Sequence, residues 1–268
     1  MIEGEDKIRA ARALLRWYAE SGVDEAVTAE PASFFSRCDV SPVRSGVRPI
    51  AQTPSLSPII SMPAPSVDEA IADAVRRAAE CTTIEALALA VADFDGCPLK
   101  AGARSTVFAD GVYGAPLLVI GEAPGKDEDL AGKPFVGRAG QLLDKMLAAI
   151  GRDRARDTLI TNVIYWRPPG NRAPTQAEIA ICRPFVERLI ILTAPKAIML
   201  AGGVPTQALT GAAGIMRARG AWRELDLGAG GRFAALPVFH PAFLLRQPEQ
   251  KRLAWRDLQS LAARLTTD

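Results

Sequence analysis

The sequence is poor in the two residue types that most often build stabilising or metal-binding sites. Its 268 residues include one histidine, His240, and four cysteines, Cys38, Cys81, Cys97 and Cys182. Cysteines spaced this widely do not indicate a disulfide framework, so we expect reduced thiols. No apolar run approaches the roughly 20 residues of a membrane span. The N-terminal Met-Ile-Glu-Gly-Glu-Asp also lacks the basic start and apolar core of a signal peptide. We therefore expect a cytoplasmic protein.

A strong excess of one charge sign is also missing. The formal net charge is +2, too small by itself to indicate a nucleic-acid partner. The distribution is uneven, because residues 217–256 contain eight basic side chains against three acidic ones, whereas the first thirty residues contain seven acidic against four basic. Contact with phosphates and a solvated helix face explain the basic region equally well.

The composition divides the chain into three parts. Apolar residues at near-helical spacing predict a helical segment within residues 1–39. Residues 40–66 contain six prolines, six serines and no acidic residue, which is typical of a linker. Ser66 and Glu69 form the pattern of a capping box, as do Thr82 and Glu85. We therefore predict that the folded domain spans residues 67–268.

Within this domain, apolar runs typical of buried strands alternate with helical patterns. The predicted strands are 117–121, 158–164, 197–202 and 234–239, and the predicted helices are 139–150, 176–192, 205–210 and 249–264. Such alternation predicts an α/β fold with three αβα layers around a central, mainly parallel four-stranded sheet. Ligands of these folds bind at the carboxyl ends of the strands.

Two motifs follow predicted strands at that edge. Residues 121–140, Gly-Glu-Ala-Pro-Gly-Lys-Asp-Glu-Asp-Leu-Ala-Gly-Lys-Pro-Phe-Val-Gly-Arg-Ala-Gly, contain five glycines and two prolines and bring several carboxylates close to the sheet. The second motif, His-Pro-Ala-Phe-Leu-Leu-Arg, starts at His240.

Two further segments complete a pattern: Ile-Thr-Asn-Val-Ile-Tyr-Trp-Arg-Pro-Pro-Gly-Asn-Arg-Ala-Pro-Thr at 160–175, and Cys-Arg-Pro at 182–184. Taken in chain order, the four segments resemble the uracil-DNA glycosylases, most closely family 4, across about residues 94–260. The resemblance implies a monomeric, monofunctional glycosylase that hydrolyses the N-glycosidic bond of uracil in single- or double-stranded DNA. The product is an abasic site for base excision repair.

The resemblance also implies site residues. His240 would donate a hydrogen bond to the oxygen of the departing base, and losing such a donor usually slows a reaction roughly a hundred- to a thousandfold. Glu122 and Glu128 would orient water and offset positive charge on the sugar, with Asn171 linked to them. Which carboxylate matters more stays open. DNA contacts fall on Arg138, Gly140, Leu245 and Arg246.

The base itself would be held by Ala123, Phe135 and Asn162. Phe135 would stack on it, and the Asn162 amide would donate to O4 and accept from N3–H of uracil. Each has a structural alternative. Phe135 could be a core residue, Asn162 could start a turn, and Leu244 and Leu245 could pack inward from a helix instead of forming a wedge in the duplex.

The chain departs from the family in two places. Family-4 enzymes hold an iron-sulfur cluster with four cysteines, but those positions here are Phe94, Cys97, Trp166 and Cys182. Neither Phe nor Trp can bind iron, so we expect no metal or other cofactor. Gly125 stands where family-1 enzymes carry a tyrosine that rejects thymine, which leaves other deaminated bases open as substrates.

Two other functions stay open. One is a catalytically inactive protein that binds uracil or abasic sites in DNA. The other is an α/β domain that binds a free nucleotide.

Overall fold

The computed structural model describes residues 66–266. The predicted segment 1–39 and all of the predicted linker except Ser66 lie outside the described residues. In chain order the elements are α1 (Val67–Glu80), α2 (Ile84–Ala92), β1 (Ala109–Gly111), β2 (Leu117–Gly121), α3 (Lys126–Ala131), α4 (Arg138–Ala148), β3 (Thr158–Asn162), α5 (Gln176–Thr193), β4 (Ala197–Ala201), α6 (Gly203–Thr210), α7 (Ile215–Ala218), β5 (Arg223–Asp226), β6 (Arg232–Val238), α8 (Pro241–Arg246) and α9 (Lys251–Thr266).

The sheet confirms the predicted α/β class and adds two strands to it. Its order is β1-β3-β2-β4-β6-β5. The four predicted strands form the parallel centre, in which β2 pairs with β3 and β4, and β4 pairs with β6. The predicted count of four strands was wrong, because β1 and β5 pair antiparallel at the two edges. Both edge strands are short and partly exposed, so neither has the apolar run of a central strand.

Helices cover both faces of the sheet, as the three-layer prediction requires. Every residue of β2, β3 and β4 is buried, which explains the continuous apolar runs of β2 and β4, while β3 also buries Thr158, Thr161 and Asn162. One core cluster joins the sheet to α1, α2, α5 and α6. A second cluster joins the opposite face to α4, α8 and α9.

Side-chain caps fix the predicted helix starts. Ser66 with Glu69 and Thr175 with Glu178 form complete capping boxes. The second helix is capped by Thr83, one residue later than predicted, and its hydroxyl accepts a hydrogen bond from the Ala86 amide. The short helices α3, α7 and α8 were not predicted, since four to six residues carry too little periodicity to recognise.

No helix within residues 66–266 is both long enough and apolar enough to cross a membrane.

Candidate active site

A cavity of about 550 Å³ opens at the carboxyl ends of the parallel strands. Strands β2 and β3 reach it directly, and His240 enters it just after β6. Eight of the predicted site residues line it together: Glu122, Ala123, Glu128, Phe135, Asn162, Asn171, His240 and Arg246. Its volume lies within the usual range of small-molecule sites. The fold therefore brings residues from three separate segments, 121–140, 160–175 and 240–246, to one concave surface.

Two rings form one wall of the cavity. The Phe135 and His240 rings stack with centroids 5.6 Å apart and planes at 28°. Phe135 has a φ of 53°, which is rare for a bulky residue and costs about 1–3 kcal/mol. Such a conformation persists only where the surrounding contacts determine it. Phe135 is 5% exposed and belongs to the second core cluster, while its ring also lines the cavity.

The proton position on His240 follows from its hydrogen bond. Nδ1 accepts from the Ala242 amide at 3.1 Å, which places the proton of the neutral ring on Nε2. Burial, followed by the positive charge of Arg246, lowers the pKa of His240 to about 4. The imidazole is therefore neutral near pH 7 and has one N–H available to donate.

Asn162 ends β3 as a buried residue with a free amide. Within residues 66–266 no hydrogen bond occupies its side chain, and the side chain lines the cavity. A Cβ added to Gly121 would lie 2.3 Å from Asn162 Oδ1 and 2.5 Å from the Phe135 ring. Glycine at 121 thus makes room for both the amide and the ring, a role that the sequence did not reveal.

Backbone amides donate hydrogen bonds to both oxygens of the Glu128 carboxylate. Oε2 accepts from the Gly125 amide at 3.1 Å. Oε1 accepts from the amides of Val136 and Gly137 at 3.0 and 2.9 Å. These bonds tie the start of α3 to the turn after Phe135, so Glu128 has a bracing function that the sequence did not indicate.

The carboxylate of Glu122 makes fewer hydrogen bonds than that of Glu128. It follows β2 and lines the cavity, and no hydrogen bond within the described part of the chain reaches its carboxylate. Burial raises its pKa. Its backbone carbonyl accepts from the Ile164 amide at 3.0 Å, which holds the motif against the segment after β3. Of the two glutamates, Glu122 is the one free to hold a water molecule.

Asn171 lies in the cavity wall but is not joined to either glutamate. Its Oδ1 accepts from Arg167 Nε at 2.8 Å, and its φ is 55°. Ala123 lines the cavity beside Glu122 and presents no polar side chain.

The residues predicted to contact DNA occupy different environments. Leu245 is 38% exposed, whereas Leu244 is 1% exposed and packs inward, so only Leu245 is available as a wedge. Arg138 is exposed in the first turn of α4 and lies outside the cavity lining. Gly140 is buried, and a Cβ there would lie 1.8 Å from the Phe135 carbonyl oxygen, so close packing accounts for this glycine.

Part of the predicted basic region faces solvent. Arg219 is ion-paired with Asp257 below the surface, and Arg232 pairs with Glu224 and Asp226. Within residues 217–256, the exposed basic residues of α8 and α9 that have no ion pair in the described part of the chain are Arg246, Lys251, Arg252 and Arg256. This surface adjoins the cavity through Arg246.

Several lining residues escaped the sequence reasoning. Pro168 and Arg172 lie on the segment after β3, and Ala242 and Phe243 follow His240. All four fall inside the quoted motifs. Their closeness in sequence to Asn171 and His240 was the signal that could have identified them.

The four positions of the family's cluster ligands do not fit an iron-sulfur cluster. Phe94 packs edge-on against Phe185, with ring centroids 5.1 Å apart. Trp166 is buried, and its indole N–H donates to the Thr106 hydroxyl at 3.0 Å. Two aromatic side chains thus fill the positions of two missing thiolates.

The two remaining thiols are buried and interact with each other. Contact with Cys97, followed by burial, raises the pKa of the Cys182 thiol. No group of three or more potential metal ligands occurs within residues 66–266. We call the buried group of Phe94, Cys97, Trp166, Cys182 and Phe185 the Trp166 cluster.

Comparisons with known proteins point to one family. The family model described as the uracil DNA glycosylase superfamily matches residues 108–259. A protein named type-4 uracil-DNA glycosylase from Pyrobaculum aerophilum is 37% identical over 169 residues, which cover 61% of this chain and 85% of the relative. Proteins of the same name from Archaeoglobus fulgidus and Thermotoga maritima are 39% and 33% identical, over 50% and 61% of this chain and 69% and 84% of the relatives.

Proposed function

Since the chain belongs to the uracil-DNA glycosylase superfamily and its relatives are type-4 enzymes, we propose that it hydrolyses the N-glycosidic bond of uracil in DNA and leaves an abasic site. DNA is its substrate, and the enzyme acts in DNA repair. The proposal makes it a monofunctional enzyme, because among residues 66–266 no lysine lines the cavity to attack the sugar.

One observation supports this function most strongly. A free buried amide, an aromatic face and a neutral imidazole N–H donor meet in one cavity, on Asn162, Phe135 and His240. A base turned out of the helix needs stacking, a bidentate partner for its edge and a donor for the oxygen that gains charge. The three groups supply these needs.

The reaction then takes the following course. The bond between the sugar C1′ and the base N1 breaks, and its electron pair moves onto the uracil ring. His240 Nε2–H donates to the base oxygen on which negative charge develops, as donors of an oxyanion hole do. Water held by Glu122 adds to C1′ and passes its proton to this carboxylate. The low pKa of His240 keeps its imidazole neutral, and the neutral ring donates this hydrogen bond without transferring a proton.

Glu128 contributes to the pocket wall as well as to bracing. Its Oε2 would lie 2.8 Å from a Cβ added at Gly125, so the carboxylate fills the space beside the glycine. A carboxylate restricts a methyl group less firmly than a packed aromatic ring does. We therefore include deaminated bases other than uracil among the candidate substrates.

The test is excision from an oligonucleotide with a single uracil. Incubation followed by alkali should cut the strand at the uracil, whereas the same oligonucleotide with cytosine should stay intact. Strand breaks without alkali would contradict a monofunctional enzyme. A retarded complex without release of uracil would favour the inactive binding protein.

The proposal also excludes an iron-sulfur cluster, because only two cysteines remain at its four positions. Purified protein should be colourless and hold no stoichiometric iron or sulfide. About four irons per chain with cluster-like visible absorption would contradict this. It would implicate Cys81 and Cys38, the latter outside the described residues.

A further inference from the structure

The backbone around Phe135 is held from outside the cavity by an arginine. Arg154 lies on the loop between α4 and β3. Its Nη2 donates to the Phe135 carbonyl at 2.8 Å and its Nη1 to the Pro134 carbonyl at 3.2 Å. Because Phe135 has a φ of 53°, this turn needs external contacts to persist. Arg154 does not line the cavity.

Two aspartates fix the guanidinium in turn. Asp144 accepts from Nε at 2.8 Å, and Asp110 from Nη1 at 3.2 Å. Asp110, on edge strand β1, also pairs with Lys133 at 3.1 Å. The side chains of Arg154 and Asp110 are only 18% and 19% exposed, so the bond between them is largely protected from solvent, whereas Asp144 is 49% exposed. The planar fork of arginine can bind both carbonyls and both carboxylates at once, whereas a lysine ammonium cannot.

The turn is thus held on two sides by opposite charges. Arg154 takes the carbonyls of residues 134 and 135, and Glu128 takes the amides of residues 136 and 137. Gly140 lets α4 pack directly against the carbonyl that Arg154 binds. The position of the Phe135 ring is therefore set by groups that a base in the cavity would not touch.

We propose that Arg154 is a positioning residue for base recognition, holding the Phe135 ring where an extruded base stacks. This inference rests on the proposed function. Without Arg154 the strained turn relaxes, and the ring leaves its place beside His240. A small misplacement of a binding group can cost up to about a hundredfold in rate.

The main variant is Arg154→Met, which keeps much of the side-chain volume but loses every hydrogen bond. Single-turnover uracil release at saturating enzyme should fall roughly ten- to a hundredfold. Inhibition by free uracil should weaken, whereas the affinity for DNA without uracil should stay unchanged. A loss of DNA affinity alone, with normal excision, would overturn the inference.

Arg152→Met is the matched control. Arg152 lies on the same loop with the same 18% side-chain exposure and is ion-paired with Asp157. Its Nη2 donates to the Leu265 carbonyl at 3.3 Å, away from Phe135. Its replacement should leave excision unchanged. An equal loss in both variants would show that disturbing the loop, not releasing Phe135, lowers the rate.

A double-mutant cycle identifies the route of the effect. If Arg154 acts through Phe135, Arg154→Met should lower the rate no further in a Phe135→Ala background. Additive losses would overturn the inference. Should Arg154→Met fail to fold, Arg154→Lys is tested in the same cycle, with a smaller loss expected because a lysine retains one or two of the bonds.

The two proposals fail in different ways. A wild-type protein that releases no uracil would contradict the proposed function. An active wild type that is impaired by Phe135→Ala but untouched by Arg154→Met would contradict the positioning role alone.

Discussion

The cavity and the Trp166 cluster lie in the same fold but differ in whether their polar side chains are hydrogen-bonded. In the cavity, the side chains of Asn162 and Glu122 are buried or half-buried and make no hydrogen bond with residues 66–266. In the Trp166 cluster, the indole N–H of Trp166 has a partner, and aromatic rings fill the remaining space. Polar groups that line an open cavity without protein partners can bind water or a ligand, whereas a buried polar group in the core needs a protein partner.

The difference predicts two separable kinds of variant. Changes in the cavity should alter rate with little loss of stability, because water can replace the missing groups. Changes in the Trp166 cluster should alter stability with little effect on base choice, because its side chains touch only the core.

Trp166→Ala should give the largest effect. Removing a buried tryptophan usually costs about 3–5 kcal/mol, since it leaves a cavity that the core only partly fills. The indole hydrogen bond to Thr106 is lost as well. Denaturant unfolding should show this drop, while the folded fraction should keep the wild-type preference for uracil. A change in base preference without destabilisation would erase the distinction between the two regions.

Tyr165→Phe is the matched control for that measurement. The Tyr165 ring contacts Trp166, but its buried hydroxyl has no hydrogen-bond partner among residues 66–266. Removing an unsatisfied hydroxyl should leave stability equal or higher. A large loss of stability in Tyr165→Phe would mean that the region tolerates no substitution at all. The Trp166→Ala result could then not be attributed to the side-chain volume that is removed.

His240→Ala and Asn162→Ala should each lower uracil release by roughly two orders of magnitude or more, while DNA binding, carried mainly by phosphate contacts, should change little. Selectivity should separate them. Asn162→Asp keeps an acceptor for N3–H but loses the fixed donor to O4, so it should weaken uracil excision and admit some cytosine. Normal activity in His240→Ala would contradict the leaving-group role.

The two glutamates sharpen the comparison within the cavity. Glu122→Gln should slow excision roughly a hundredfold and leave stability unchanged or higher, since burial already disfavours its charge. Glu128→Gln should slow excision and also cost about 1–3 kcal/mol of stability, because its carboxylate accepts three backbone amides. Equal stability of the two variants in thermal unfolding would contradict this division.

The sequence was sufficient for the parallel centre of the sheet and for eight of the residues that line the cavity. Apolar runs bounded by glycine and proline marked β2 and β4, and the motifs placed Asn162 and His240 at the strand ends. The edge strand β1 was missed because its three residues, Ala-Asp-Gly, carry no alternation. Short, half-exposed strands depend on their neighbours for pairing, which local sequence does not report.

The division of labour in the site could not be predicted either. Nothing in the sequence distinguishes Glu122 from Glu128 as carboxylates. Only the fold shows that one accepts backbone amides and the other faces the cavity. Likewise Arg154 reaches a turn 19 residues earlier in the chain, a contact that exists only after α4 has packed.

The smallest predicted effect concerns the protonation of His240. As the chain's only histidine, it should give one imidazole titration in a nuclear magnetic resonance experiment. We expect a midpoint near pH 4 and a proton on Nε2 in the neutral ring.

The pH dependence of folding stability should reflect the protonation of His240. An unfolded imidazole binds a proton at about pH 6.5, whereas the folded one does so only near pH 4. Between these values the unfolded state binds more protons, so this contribution to stability is present above pH 6.5 and is lost as the pH falls toward 4. His240→Asn should remove that part of the pH dependence. A wild-type midpoint well above neutral pH would mean a charged imidazole at the start of the reaction, and the neutral donor proposed for the departing base would then be wrong.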